Sequence, residues 1–505
     1  MSETSATRIV GNVLLFTVPV LAFVYYRNKL NTPDIEHAVA KLPRTSSFKK
    51  SQSFYESEVD EDDTPTGASP WMALGLEQPL VIAMVGLPAR GKSYIVKMTI
   101  RYLKWVGFES KVFNVGAYRR KLGLAAAESN FFDASNEDGK KVREEMAAAV
   151  QDEMYKWLQG GTDHSKRRVA VFDATNTTIK RRSKLANRAR RENVFLLFVE
   201  SICNNQEVLH RNYELKLQNE DYKGMPIEKA RADFMDRVHA YEKVYETIED
   251  YEDNNNICYI KLFDVGEKVV ARNCHGYLPS QVAFYLQNIH ILPRKIYLSI
   301  IAEGVEQRLN AANRVPGRES GELTPQGQAY GNSLAEYIRY EQQTDLVGCG
   351  KEILVLTGTG NIHSETVSYL KKQGFRICHT PLLNELRGGD FHGMSKAEIQ
   401  EKHPEEHAKR VADKLNYRYP GIAGESYIDV IERVRPVIIE LERQKRSIVL
   451  VCHVAVLRCI YAYFMGVPLN DIPTKEFLMH NVYELAPGPF GCTCAVIDPL
   501  VQVHD

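Results

Sequence analysis

Residues 80–93 read Leu-Val-Ile-Ala-Met-Val-Gly-Leu-Pro-Ala-Arg-Gly-Lys-Ser, and this run constrains the fold more than any other part of the chain. An apolar, β-branched stretch stops at Gly86 and enters the spacing G-x-x-x-x-G-K-S, after which Tyr94 to Trp105 has helical apolar spacing. Strand, glycine-bounded loop and helix in that order make a phosphate cradle. Gly86 and Gly91 permit backbone angles that a Cβ resists, so the loop of Leu87, Pro88, Ala89 and Arg90 can wrap an anion. The helix that follows directs its positive dipole end at the same anion. Lys92 is placed to reach β- and γ-phosphates, and the Ser93 hydroxyl to ligate Mg²⁺. The segment predicts a nucleoside triphosphate site.

The chain has 505 residues, enough for two to three domains. Lys plus Arg, 64, equals Asp plus Glu, 64, so no global basic field points to nucleic acid, and an anionic substrate needs local arginines. The nine cysteines form no CxxC pair and no zinc-ligand spacing, as suits reduced thiols in a cytoplasmic compartment.

The N-terminal part reads differently. Residues 9–26 (IVGNVLLFTVPVLAFVYY) are uncharged and just long enough to span a bilayer. The only positive charge before them is Arg8, and no small-x-small site follows before Arg27, which favours an anchor over a cleaved signal. Arg27 and Lys29 place the remainder on the cytoplasmic side. Residues 1–30 therefore read as an anchor segment and 31–75 as a disordered linker. The linker sets a basic patch with Ser46, Ser47, Ser51 and Ser53, candidate phosphorylation sites, against the acidic run from Glu56 to Asp63.

From Pro79 onward, β-branched runs alternate with helical periodicity, predicting an α/β class with a doubly wound, mostly parallel sheet. Strands are expected at Lys111–Val115, Arg167–Asp173, Val194–Glu200 and Ile257–Asp264 as well as before Gly86. Asp173 ends its strand in a Walker-B-like place, fit to bind Mg²⁺ or accept a hydroxyl proton. Ala174-Thr-Asn-Thr-Thr adds hydroxyls at the same sheet edge.

Several long motifs carry a resemblance. GLPARGKS at 86–93, FNVGAYRR at 113–120, VFDATNTT at 171–178, ESIC at 200–203, DFMDRVHAY at 233–241 and NIHILPR at 288–294 resemble the kinase half of the 6-phosphofructo-2-kinase/fructose-2,6-bisphosphatase family. The likeness continues to the C-terminus and spares only the N-terminal extension. It implies a P-loop kinase domain over 76–290, followed by an α/β histidine-phosphatase-like domain over 291–505. The implied reaction moves the γ-phosphoryl of ATP, with Mg²⁺, to the 2-hydroxyl of fructose 6-phosphate. By position, residues 86–94 and Asn212 would hold ATP, while Arg119, Arg143, Thr175, Arg181, Arg237 and Tyr241 would hold the sugar phosphate. Arginine suits that task because guanidinium binds phosphate bidentately and stays charged. Lys216 would approach the transferring phosphoryl group, Asp173 would serve as metal ligand or base, and Cys203 matches a family site cysteine. Ala117 stands where the family usually has Glu. The family also implies a homodimer through the kinase half.

The second half departs from its pattern. Residues 296–465 resemble a histidine phosphatase, an enzyme type that attacks phosphorus with the imidazole of an Arg-His-Gly-Glu motif. Here the matching positions are Ile300-Ile301-Ala302-Glu303, and Ile362, beside His363, replaces a further arginine. Glu385 matches the family's acid and His453 its second histidine; Tyr417-Arg-Tyr-Pro and Gly424-Glu-Ser-Tyr persist. Isoleucine has no lone pair for attack and no charge for phosphate. The favoured reading is a one-way kinase with an inactive phosphatase-like half. Two others compete: a bifunctional enzyme using His453 as nucleophile, and a non-catalytic, membrane-tethered scaffold that binds ATP and sugar phosphate.

Overall fold

The computed structural model describes residues 78–124, 129–133, 135–160, 168–305, 321–344, 352–488 and 491–502. The expected anchor at 9–26, the linker at 31–75 and its serines lie outside these residues. No helix among the described residues is long and apolar enough to cross a membrane.

Two six-stranded sheets organise the described chain. β1 (Leu80–Val85) is buried at every position, as a parallel strand covered on both faces requires. It lies between β3 (Arg168–Asp173) and β4 (Phe195–Ile202), in the order β2-β3-β1-β4-β5-β6. Here β2 is Glu109–Asn114, β5 is Cys258–Phe263 and β6 is Lys268–Arg272; all but β6 run parallel. β2 stops one residue before the expected Val115 because the Asn114 side chain accepts from Ala117 N–H and caps a short helix, Val115–Arg119. β5 stops before Asp264, which turns the chain at φ 45. β6 was not legible in advance, being short and half exposed.

The second sheet has the order β12-β11-β7-β10-β8-β9. β7 (Ile296–Ile300), β8 (Leu354–Thr357), β9 (Arg376–His379) and β10 (Ile448–Cys452) are parallel, while β11 (Val482–Gly488) and β12 (Gly491–Ile497) add an antiparallel edge.

One apolar core runs through both sheets. Helix α1 (Lys92–Trp105) starts at the phosphate loop, packs against α10 (Val454–Met465) of the second half and is linked by side chains to α9 (Tyr427–Arg443). Trp105 Nε1 donates to Cys459 O at 2.8 Å, and Tyr102 stacks on Tyr285 of α6 (Tyr277–Asn288) at 4.3 Å. Arg101 reaches the fully buried Glu442 at 2.6 Å, and Arg294 meets the other carboxylate oxygen at 2.9 Å. The Tyr463 hydroxyl donates to Glu442 at 2.8 Å. Burial pushes the Glu442 carboxyl up, but the two guanidiniums outweigh it and hold the group below the usual carboxylate range.

Removing the carboxylate strands two cations in the core, so Glu442→Ala should lower stability by about 3–5 kcal/mol, read by denaturant unfolding. The folded pKa is depressed, so this stabilisation is present above the ordinary glutamate pKa and lost as pH falls through the depressed value.

Candidate active site

The loop after β1 is built around its glycines. Gly86 has φ 133, its N–H donates to Thr175 O at 2.9 Å, and a Cβ there would lie 2.6 Å from Ser201 O. Gly91 caps α1 at φ 86 with no side-chain hydrogen bond at the cap, so the N–H groups of Lys92 and Ser93 have no capping side chain. Lys92 Nζ folds over the loop, donating to Gly86 O at 2.9 Å and Leu87 O at 2.5 Å. Burial lowers its pKa to about 7; Asp173 opposes the shift, while Lys216, Arg90 and Arg237 add to it.

β3 delivers Asp173 beside that loop. Its carboxylate accepts from Asn114 Nδ2, and burial raises its pKa against the pull of Lys92. Ser93 is exposed into the same space. A hydroxyl, a carboxylate and a phosphate-binding loop are the donor set for Mg²⁺ bound with a nucleotide.

Around these groups opens a cleft of about 970 Å³. Lys92, Ser93, Tyr94, Arg119, Arg143, Asp173, Thr175, Arg181, Asn212, Lys216, Arg237 and Tyr241 all line it, with Pro88, Ala89 and Gly91. Several are held there by local devices. Thr178 caps α3 (Ile179–Arg191), and Asn176 at φ 43 ties Met84 O to the Arg181 guanidinium, aiming Arg181 inward. Arg237 and Tyr241 sit four apart on α5 (Ile227–Glu242), hence on one face. Asn212, on α4 (Gln206–Leu217), donates to Ala89 O at 3.0 Å.

Other predicted positions are placed differently. Arg90 lies under the loop, bound to Tyr213 and Glu242 at 3.1 and 3.2 Å, and braces it. The Tyr94 hydroxyl is committed to His290 O at 2.8 Å. Gly86 and Leu87 shape the loop without lining the cleft. Cys203 does not line it either: it is buried at the end of β4, and burial with Asp264 pushes its thiol up to about 11.

Two residues of the cleft escaped sequence reading. Asp221 binds Arg119 at 2.6 Å and lies 3.7 and 3.6 Å from Arg120 and Arg237. Phe132 spreads its ring beneath Arg237 and Arg119, at 3.9 and 5.3 Å. Neither has a motif signal, because the constraint is their meeting with arginines from distant segments. Arg119, Arg143, Arg181 and Lys216 all have lowered pKa values, burial being the first cause in each.

In the second half, His453 Nδ1 lies 2.7 Å from Glu385 Oε2, and the rings of His453 and His363 are 4.8 Å apart. Burial, then His453, drives His363 down to about 3, so it carries no charge. Ile300, Ile301 and Ile362 are all buried. The Arg433 guanidinium is spent on Glu425 at 2.9 Å and on the carbonyls of Leu382 and Asn384. Elsewhere in the second half Lys414 donates to Pro473 O at 2.6 Å and is lowered to about 8 by burial and by Arg458, Arg410 and Lys396.

A P-loop at a parallel sheet edge, facing a carboxylate and an arginine cluster, defines a phosphotransferase of the kinase class. The sequence pattern of 6-phosphofructo-2-kinase matches residues 68–293, and that of the histidine phosphatase superfamily (branch 1) matches 305–497. The chain is 38% identical over 426 residues to a 6-phosphofructo-2-kinase/fructose-2,6-bisphosphatase of Caenorhabditis elegans, covering 83% of this chain and 88% of that protein. Identity is 37% over 415 residues to 6-phosphofructo-2-kinase/fructose-2,6-bisphosphatase 4 of Homo sapiens, covering 82% and 84%. It is 38% over 434 residues to 6-phosphofructo-2-kinase 1 of Saccharomyces cerevisiae, covering 82% of this chain and 51% of that protein. The chain belongs to the 6-phosphofructo-2-kinase/fructose-2,6-bisphosphatase family.

Phosphate favours the charged form of Lys92, so nucleotide binding should take up a proton when the pH lies above about 7. Calorimetry in buffers of different ionisation enthalpy should show that uptake at alkaline pH, with affinity falling as pH rises. Lys92→Met should remove both effects; uptake persisting in that variant would place the titrating group elsewhere.

Proposed function

We propose that this protein transfers the γ-phosphoryl group of ATP to the 2-hydroxyl of fructose 6-phosphate and does not hydrolyse the product. The observation that supports the transfer is the convergence of Lys92, Lys216, Asp173 and the arginine cluster on one cleft. The loop N–H groups and Lys92 hold the β- and γ-phosphates, and Arg119, Arg143, Arg181 and Arg237 hold the sugar 6-phosphate, fixing the acceptor hydroxyl in line. Asp173, beside Lys92, accepts the hydroxyl proton or helps hold the metal. Ser93 and Asp173 would hold Mg²⁺, which would supply positive charge to the phosphate oxygens. Lys216, approached from α4, stabilises the phosphoryl group in flight.

The one-way reading rests on Ile300, Ile301 and Ile362. At the places of the family's attacking imidazole and two arginines stand buried alkyl groups, and His453 has its Nδ1 engaged with Glu385. Residues 76–290 then form the catalytic part and 291–505 the inactive partner. A homodimer through the kinase half and attachment to a membrane through residues 9–26 belong to the same proposal.

The test supplies residues 70–505 with ATP, Mg²⁺ and fructose 6-phosphate and assays fructose 2,6-bisphosphate, with a parallel assay of phosphate release from that product. Synthesis without release is expected; release would redirect attention to His453. Lys92→Met should lower turnover by about a hundredfold or more. Arg237→Ala removes a charge-assisted contact and should raise the KM for fructose 6-phosphate about tenfold or more, with the KM for ATP much less affected.

A further inference from the structure

The β5–β6 hairpin carries two thiols that no step above uses. Cys258 opens β5 and is buried, while Cys274 follows β6 and is partly exposed. The ladder pairs Tyr259 with Arg272, so simple continuation would set Asn273 opposite Cys258. Asn273 instead takes φ 54, a left-handed conformation that asparagine tolerates better than most residues. That residue breaks the alternation, and Cys274 turns back under the hairpin end, its Sγ 3.5 Å from the carbonyls of Tyr259 and Arg272. The Sγ atoms of Cys258 and Cys274 then stand 3.7 Å apart, in van der Waals contact.

We propose that Cys258 and Cys274 form a reversible dithiol–disulfide site whose oxidant is a small-molecule disulfide of the glutathione type. With the sulfurs already touching, side-chain rotation brings them to bonding distance without separating the strands. The two thiols are also unequal. The hydrogen bond from Cys258 holds the Cys274 thiol below its ordinary range, while the same bond, with burial, pushes Cys258 up. Cys274 is thus both the more acidic thiol and the one that solvent reaches, which makes it the attacking group.

The chemistry balances in two exchanges. The Cys274 thiolate attacks one sulfur of the small disulfide, whose S–S bond breaks to release one thiolate and leave a mixed disulfide on Cys274. The Cys258 proton passes to that released thiolate. The Cys258 sulfur then attacks Cys274 Sγ and expels the second small thiolate, which takes a proton from water. Two protein thiols are oxidised to one disulfide, and one small disulfide is reduced to two thiols. The new bond ties the entry of α6, whose Tyr285 stacks on Tyr102 of α1, to the start of β5.

The test equilibrates the full chain in glutathione buffers of increasing oxidised fraction, traps free thiols by alkylation and maps peptides by mass. The expected product is a cross-linked peptide pair containing Cys258 and Cys274, lighter by two hydrogens, reversed by a dithiol reductant and accompanied by a higher Tm. Cys258→Ser should stop at a glutathione adduct on Cys274. Cys274→Ser should leave Cys258 unmodified while the reduced kinase rate stays that of the parent. A wild-type chain that keeps both thiols alkylatable in fully oxidised glutathione, or that accumulates only the Cys274 adduct, would overturn the proposal. The wild-type measurement decides even where a variant fails to fold.

Discussion

The buried carboxylate of Glu442, held between Arg101 and Arg294, is the interaction on which the rest of the structure leans. A charge at that depth is tolerated only with its counter-charges in place, and both come from the first half of the sequence and its exit segment. Arg101 belongs to α1, the helix whose N-terminus is the phosphate loop. The second half is therefore more than an appended domain: through Glu442 of α9 and Tyr463 and the Cys459 carbonyl of α10 it sets where α1 lies, and so where Gly91, Lys92 and Ser93 present themselves.

The two halves spend their charges in opposite ways. In the cleft, burial lowers the pKa of Lys92, Lys216 and three arginines, and Asp173 and Asp221 offset only part of the repulsion. Asp221 keeps one buried oxygen, and Arg237 its Nε, without a partner among the described residues. In the second half Glu385 and His453 are bound to each other, His363 beside them keeps both ring nitrogens without a partner among the described residues, and Ile300, Ile301 and Ile362 are buried. A substrate dianion there would meet no adjacent imidazolium or guanidinium from positions 300, 301 or 362.

Much of this was legible along the chain. The phosphate loop and the strand ending at Asp173 are local patterns, each with a physical reason visible in neighbouring residues, whereas the arginines were placed by the family resemblance of the motifs that hold them. Asp221 and Phe132 were not legible, because their role consists of meeting Arg119 and Arg237 from other segments. Cys203 shows the converse: its motif was plain, yet the end of β4 turns its thiol into the interior. The thiol pair was equally hidden. Cys258 and Cys274 show no spacing signal, and only a left-handed Asn273 after β6 brings them together.

By itself the sequence determined the chemistry available to this protein. A glycine-bounded Lys-Ser loop binds phosphate wherever strand and helix flank it, and isoleucine at 300, 301 and 362 provides neither nucleophile nor cation in any fold. The tertiary structure alone decided which charges share a low-dielectric cleft, which arginines brace loops instead of substrate, and that Glu442 locks α1 to the second half. Those outcomes depend on distances between residues far apart in the chain, and electrostatic strength follows distance and burial, which sequence order does not encode.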